Sequence, residues 1–451
     1  MSVNLTEGSV AKKMMLFSLP LMAGNLLQQC YNIADTLIVG RFIGANALAA
    51  VGSAYTLMTF LTSIILGLCM GSGALFSIRY GERDEETLKK SIAASFLLIG
   101  GLTVILNIAV FLGIEGILWF LRVPEAVYEM MREYLLIIFA GISATFLYNY
   151  FACLLRAAGE SFIPLVFLAV CALLNVILDF WFVLGLHAGV GGAAFATVLS
   201  QFVSGIGITL YTLFRRKEFR IKRKHLQIKK KLIIEIFQFS FLTSVQQSVM
   251  NLGILMVQGL VNSFGPGVMA AFAAAVKIDS FAYMPVQDFG NAFSTFVAQN
   301  YGAGKPERIR EGCRKAVYLV SGFCIVISAA VWLLAKPLLS LFIEADRTNI
   351  LAVGVQYLHI EGAFYIGIGY LFLFYGYYRA VRRPGMSVVL TVISLGTRVV
   401  LAYLLSSTAL GVTGIWWSVP IGWALADMAG WLYYIKIRKN SAPQASPSAV
   451  D

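Results

Sequence analysis

Residues 79–83 read Arg79-Tyr80-Gly81-Glu82-Arg83 and close a long apolar run, and residues 300–304 read Asn300-Tyr301-Gly302-Ala303-Gly304 and close another. The two glycines stand 221 positions apart, and each is followed by a charged loop and a new apolar run. Further landmarks keep nearly the same spacing. Arg156-Ala157 matches Arg379-Ala380 at 223, Gly189-Val190-Gly191-Gly192 matches Gly411-Val412-Thr413-Gly414 at 222, and Phe17-Ser18 matches Phe239-Ser240 at 222. A near-constant offset over four landmarks reads as a tandem duplication of one structural unit.

The runs between these landmarks are membrane spans. The chain has 451 residues, 59% of them hydrophobic and 13% charged, with a mean hydropathy of +0.79, more apolar surface than a soluble chain of this size can bury. Apolar stretches able to cross a hydrocarbon core of about 30 Å recur. Twelve are expected, at 14–40, 47–78, 92–112, 131–155, 163–186, 191–214, 234–262, 268–300, 313–335, 355–379, 387–407 and 413–436. The fold class is therefore an all-α integral membrane protein, with two pseudo-symmetric lobes of six helices. Six is even, so both lobes share one orientation, the parallel kind of repeat in which substrate sits between lobes that open alternately.

Basic residues choose the orientation. One side of the twelve spans holds 28 of the 35 Lys and Arg residues; the other holds five, Arg41, Arg122, Arg132, Lys336 and Arg347. The positive-inside rule puts both termini in the cytoplasm of a multi-pass protein of the cytoplasmic membrane. Lys12-Lys13 before an apolar run reads as a first membrane helix acting as its own anchor rather than a cleaved signal. The net charge of +12 is thus a topology signal, and nucleic acid is not an expected partner.

The expected domains are an amino-terminal lobe, 1–214, a basic linker, 215–231, a carboxy-terminal lobe, 232–438, and a disordered polar tail, 439–451. The linker, with ten basic residues, either fixes topology or docks on anionic lipid. The six cysteines have no metal-ligand spacing and read as small core residues. His187, His225 and His359 are dispersed, and no phosphate-cradling or metal motif occurs, so neither an enzyme nor a cofactor is expected.

Ionisable residues at membrane depth cost at least about 2.5 kcal/mol and tend to face the bundle interior and serve a pathway. They are Asp35, Asp179, Lys277, Asp279, Asp288, Glu361, Arg398 and Asp427. Asp35, Asp179 and Thr197 fall at similar depth, roughly 8–10 Å from the outer boundary at about 1.5 Å per residue. Asn175 lies one turn from Asp179, and Asn25, Gln28 and Asn32 lead up to Asp35 along one helical stripe. Two carboxylates with amide and hydroxyl oxygens nearby can share protons, cradle Na⁺, or simply tie helices together. Pro20 removes a backbone bond inside the first span and permits a bend. The second half does not repeat the acids: Val257 and Leu401 stand where Asp35 and Asp179 would recur. Its own charges form internal pairs, or Lys277, Asp279 and Glu361 join Gln28 and Asn32 in lining or gating a cavity. The tenth span, Tyr357 to Tyr378, is dense in aromatic rings that can attract organic cations or pack between helices.

From about Lys12 to Arg438 the chain resembles the multidrug and toxic compound extrusion transporters, within the larger group that includes oligosaccharide and lipid-precursor flippases. The resemblance rests on Pro20 with Asp35-Thr36 and Val39-Gly40, on Tyr80-Gly81, on Leu155-Arg156-Ala157-Ala158-Gly159, on Asn175-Val176-Ile177-Leu178-Asp179, and on Gly191-Gly192-Ala193-Ala194-Phe195-Ala196-Thr197. It implies that Pro20 bends the first helix and that Asp35, Asn175, Asp179 and Thr197 form an amino-lobe site for H⁺ or Na⁺. The family's sodium-coupled branch has acids in its seventh and tenth helices, and here Gln246 and Gln247 occupy the former region. The departure favours H⁺ coupling through the amino lobe. The expected activity is cation-coupled export of small organic, often cationic, compounds by a chain that functions as a monomer. The alternative, flipping of a lipid-linked anionic precursor, would ask for several cavity Arg or Lys residues, and only Lys277 and Arg398 lie in spans.

Overall fold

The computed structural model describes residues 3–120, 123–344 and 347–440. Arg122 and the tail from 441 lie outside the described residues; Lys439 and Asn440, expected in the tail, close the last helix. No strand occurs among the described residues.

Among the described residues fourteen α-helices follow one another: α1 (Val10–Ile38), α2 (Ala45–Glu82), α3 (Glu85–Phe120), α4 (Glu125–Ala140), α5 (Ile142–Ala157), α6 (Phe162–Asp179), α7 (Gly189–Arg215), α8 (Lys230–Asn262), α9 (Pro266–Gly302), α10 (Pro306–Leu339), α11 (Thr348–Ala363), α12 (Tyr365–Ala380), α13 (Pro384–Ser406) and α14 (Val412–Asn440). Proline opens α9, α10 and α13, where its missing N–H costs no helical bond. Among the described residues seven helices are long and apolar enough to cross a membrane, α2, α3, α6 with its extension, α7, α9, α10 and α13. Two bent pairs qualify as one span each: α4 with α5, bent by 43°, and α11 with α12, bent by 51°. α1, α8 and α14, also expected as spans, fall short of that, so seven to nine of the twelve expected spans are found among the described residues.

The element order repeats. α4 and α11 begin at 125 and 348, α5 and α12 at 142 and 365, and both bent pairs fall at the same place in the two copies. Even the turn after each pair is shared. Glu160 N–H donates to Leu155 O at 3.0 Å, and Arg383 N–H donates to Tyr378 O at 2.8 Å, the six-residue closure of a helix C-terminus. The residue at the left-handed position is Gly159 (φ 81°) in one copy and Arg382 (φ 61°) in the other.

Contacts divide the chain into two compact units, Met1–Leu252 with Met284–Tyr318 and Gly376–Gly385, and Gly253–Tyr283 with Leu319–Tyr375 and Met386–Asp451. In the first unit, α2, α3 and α5 close around the rings of Phe76, Phe96, Phe146, Tyr150 and Phe151, with Tyr150 donating to Ile92 O. α2 also meets α8 and α9 at backbone distance: a Cβ on Gly71 would lie 2.3 Å from Phe239 O, one on Gly81 2.1 Å from Gln299 O, and one on Gly302 2.0 Å from Ile78 O. The last two contacts are copies of each other under the repeat, since 78 and 299 are also 221 apart. In the second unit, Phe272 of α9, Tyr357 of α11 and Trp416 of α14 pack as one buried aromatic cluster.

The segment 215–231 is ordered. Two short 3₁₀ turns, Lys217–Phe219 and Arg223–Leu226, bury Phe219 and His225. Arg216 pairs with the buried Glu160, and Lys224 with Glu86.

Candidate functional site

The two acids singled out in the first half sit at matching irregularities. α1 runs without a break through Pro20 and passes, one turn beyond Asp35, into a π-helical turn, Val39–Ile43. α6 ends on Asp179, and the next residues, Phe180–Gly185, form a second π-turn. The two π-turns touch. A π-turn inserts an extra residue into the i→i−4 ladder, and such turns concentrate at functional sites. Nothing comparable follows Val257 in α8 or Leu401 in α13.

Asp179 and Asn175 are fully buried, Thr197 of α7 nearly so, and Asp35 is half-buried. Asn175 Nδ2 donates to Thr197 Oγ1 at 3.3 Å, and Thr197 Oγ1 donates to Ala193 O at 3.1 Å, so the amide turns its oxygen elsewhere. That oxygen, both carboxylate oxygens of Asp179 and Oδ1 of Asp35 are buried without a hydrogen-bond partner. A buried charge or amide oxygen left in this state is costly, and native interiors satisfy nearly all such groups. Asp35 and Asp179 lie close enough to act on each other electrostatically, and the buried Tyr134 of α4 is within electrostatic reach of both. The set is all oxygen, the donor chemistry of a proton or a hard cation.

The structure thus brings Asn175 and Thr197 together directly and sets Asp35 near Asp179. Tyr134, with Tyr31 and Tyr55 in electrostatic reach, completes the surroundings and was not foreseen. Its signal in the sequence is a polar ring at the start of the fourth span, directly after Arg132-Glu133 and before an apolar run. Gln28 is exposed and Asn32 half-buried. Farther along α1, Asn25 Nδ2 donates to Asp288 Oδ1 of α9 at 2.5 Å, which gives the buried Asp288 a partner.

The charges of the second half come together only in part. Asp279 and Glu361 are buried together around the Tyr357 hydroxyl, which donates to Glu361 Oε2 at 2.9 Å with Asp279 Oδ2 at 3.4 Å, and Arg398 supplies the nearby positive charge. Lys277 is outside this group: its side chain is exposed, with Nζ 5.9 Å from the centre of the Phe342 ring. The rings of the tenth span divide as well. Tyr357, Tyr365 and Tyr378 are wholly buried, whereas Phe364 is exposed. Cys69, Cys153, Cys171 and Cys324 are buried as expected of core residues, Cys313 is partly buried, and Cys30 is exposed, since its side of α1 is not covered. Among the described residues no three His, Cys, Asp or Glu gather as a metal centre.

A chain whose described residues form helices and no strand, seven to nine spans of them long and apolar enough to cross a bilayer, is a multi-pass membrane protein in class. The MatE family model matches residues 20–181 and again 240–404, so the chain belongs to that family. It is 32% identical over 433 residues to the "Probable multidrug resistance protein YpnP" of Bacillus subtilis (strain 168), covering 95% of this chain and 96% of that one. The "Probable multidrug resistance protein YoeA" of the same organism is 27% identical over 444 residues, with 95% and 94% covered. In fold the chain is similar, at a TM-score of 0.91 and 24% identity over 98% of each chain, to the structure described as the outward-facing conformation of a multidrug resistance MATE family transporter of the MOP superfamily.

Proposed function

We propose that the protein is a cation-coupled antiporter of the cytoplasmic membrane that exports small organic, often cationic, compounds, with H⁺ preferred over Na⁺ as the coupling ion. Twelve spans form two six-helix lobes, 1–214 and 232–438, joined by the linker 215–231, with both termini in the cytoplasm and one chain sufficient for transport. The double match of the family model, the repeated bent pair and the distribution of basic residues support this architecture. The names of the multidrug relatives support the substrate class.

The observation that carries the mechanism is the fully buried Asp179, both of whose carboxylate oxygens lack a partner, beside Asp35. A cation entering from outside satisfies these oxygens, Asn175 and Thr197 contribute amide and hydroxyl oxygens, and Tyr134 orders the nearby field. Filling the site removes a repulsion between carboxylates and lets α1 bend at Pro20, so that drug release outward and cation release inward become steps of one cycle.

Efflux of a fluorescent organic cation from energised vesicles tests the proposal, with proton and sodium gradients imposed separately. Gradient-driven efflux should be lost in Asp35→Asn, and the gradient that drives the wild type names the ion. Undiminished transport by Asp35→Asn would overturn the amino-lobe site. No transport of any organic cation would move the assignment to a lipid flippase.

A further inference from the structure

At the end of α2 four side chains close a ring. Arg79 donates to Glu82 Oε2 at 2.8 Å and to Glu235 Oε2 at 2.9 Å; Arg382 donates to Glu235 Oε1 at 2.6 Å and to Glu82 Oε1 at 3.0 Å. All four carboxylate oxygens are used, both guanidinium groups bridge the two acids, and the ring is neutral. Its members come from three places: the last turn of α2, the second turn of α8, and the turn between α12 and α13. The side chains are only 16–31% exposed, so this is a charge-assisted network shielded from much of the solvent.

Arg382 stands where the backbone asks for glycine. The copy of this turn in the first half has Gly159 at the left-handed position, closing its helix by the same hydrogen bond. Arginine there is disfavoured for the steric reason that keeps most side chains out of that region. The turn would form without it; what the arginine adds is the two bonds to Glu82 and Glu235. A local backbone cost retained for the sake of a distant contact marks that contact as functional.

The ring also caps a seam that is built to come close. Below it Ser72 Oγ and Ser240 Oγ of α2 and α8 are 2.7 Å apart, and Gly67 and Gly71 leave no room for a side chain against the α8 backbone. Helices that meet backbone to backbone, with only small residues between them and a polar clasp at one end, hold together without interlocking side chains and part without dismantling a core.

We propose that Arg79, Glu82, Glu235 and Arg382 are gating residues of the transport cycle: the intact ring holds the cytoplasmic side shut, and its rupture admits substrate from the cytoplasm between α2 and α8. The proposal rests on the antiport reading for its direction. Its test reads opening rather than transport, so the two fail separately.

Ser240→Cys places a thiol in the seam, and its alkylation by a membrane-impermeant maleimide in inside-out vesicles is followed by peptide mass spectrometry. The thiol should react slowly when the ring is intact. Adding Glu235→Gln should raise the rate about fivefold, the shift expected for losing roughly 1 kcal/mol of partly exposed ion pairing. Adding Arg382→Gly should do the same while suiting the left-handed backbone, so misfolding cannot account for the result. Arg382→Lys, which keeps the charge but not the fork that spans two carboxylates, should fall between. Glu86→Gln, which breaks the pair with Lys224, should leave the rate unchanged. Rates within about twofold of the parent in both Glu235→Gln and Arg382→Gly, with unchanged melting temperatures, would overturn the gate even if efflux is gradient-driven. Faster alkylation in a protein that moves no organic cation would keep the gate and overturn the substrate reading.

Discussion

The two halves share helix order, bent pair and closing turns, yet treat buried charge in opposite ways. In the first half, Asp35 and Asp179 precede π-turns and keep carboxylate oxygens without partners. In the second half, the same places in α8 and α13 are apolar and regular, and Asp279 and Glu361 instead gather around Tyr357 with Arg398 as the nearby positive charge. The first arrangement leaves both oxygens of Asp179 without a partner; the second carries its own hydrogen-bond donor and a nearby positive charge, although Asp279 Oδ1, Glu361 Oε1 and, on α14, Asp427 Oδ1 also lack partners. Duplication supplied two equal scaffolds that differ in how far their acids are compensated.

The largest expected effect separates these arrangements. Asp179→Asn should lower gradient-driven efflux by about two orders of magnitude, since each tenfold corresponds to about 1.4 kcal/mol and a site built on charge loses its ligand outright. Glu361→Gln should leave the identity of the driving ion unchanged; a switch of ion in that variant would place coupling in the second half. A smaller effect tests where the halves agree. Gly81→Ala and Gly302→Ala each push a methyl group into a backbone carbonyl and should each cost about 1–3 kcal/mol, read as matched drops in melting temperature. Unequal drops would show that the seam is not symmetric in energy. The smallest effect is Thr197→Val, which takes the acceptor from Asn175 at about 1 kcal/mol and should weaken apparent ion affinity about fivefold without abolishing transport.

Much of this was legible in the sequence because it depends on local pattern. Apolar runs located the helices, the spacing of Gly81 and Gly302 exposed the repeat, and depth along α1, α6 and α7 put Asp35, Asp179 and Thr197 at one level. The π-turns were not legible, because an extra residue in a helical ladder leaves no mark on hydrophobic periodicity. Partnerships between distant residues were hidden for a different reason. Asn25 with Asp288 and Glu82 with Arg382 lie 263 and 300 positions apart, and only packing chooses among the many charges that could have met. Lys277 shows the same limit in reverse, since its sequence neighbour Asp279 turns inward while Lys277 itself remains exposed.

The segment 215–231 is pinned rather than slack: Phe219 and His225 are sunk into the protein and Arg216 is tied to the buried Glu160. A stretch anchored in this way acts as a buttress, its path set by folded geometry rather than by the freedom of an unstructured chain.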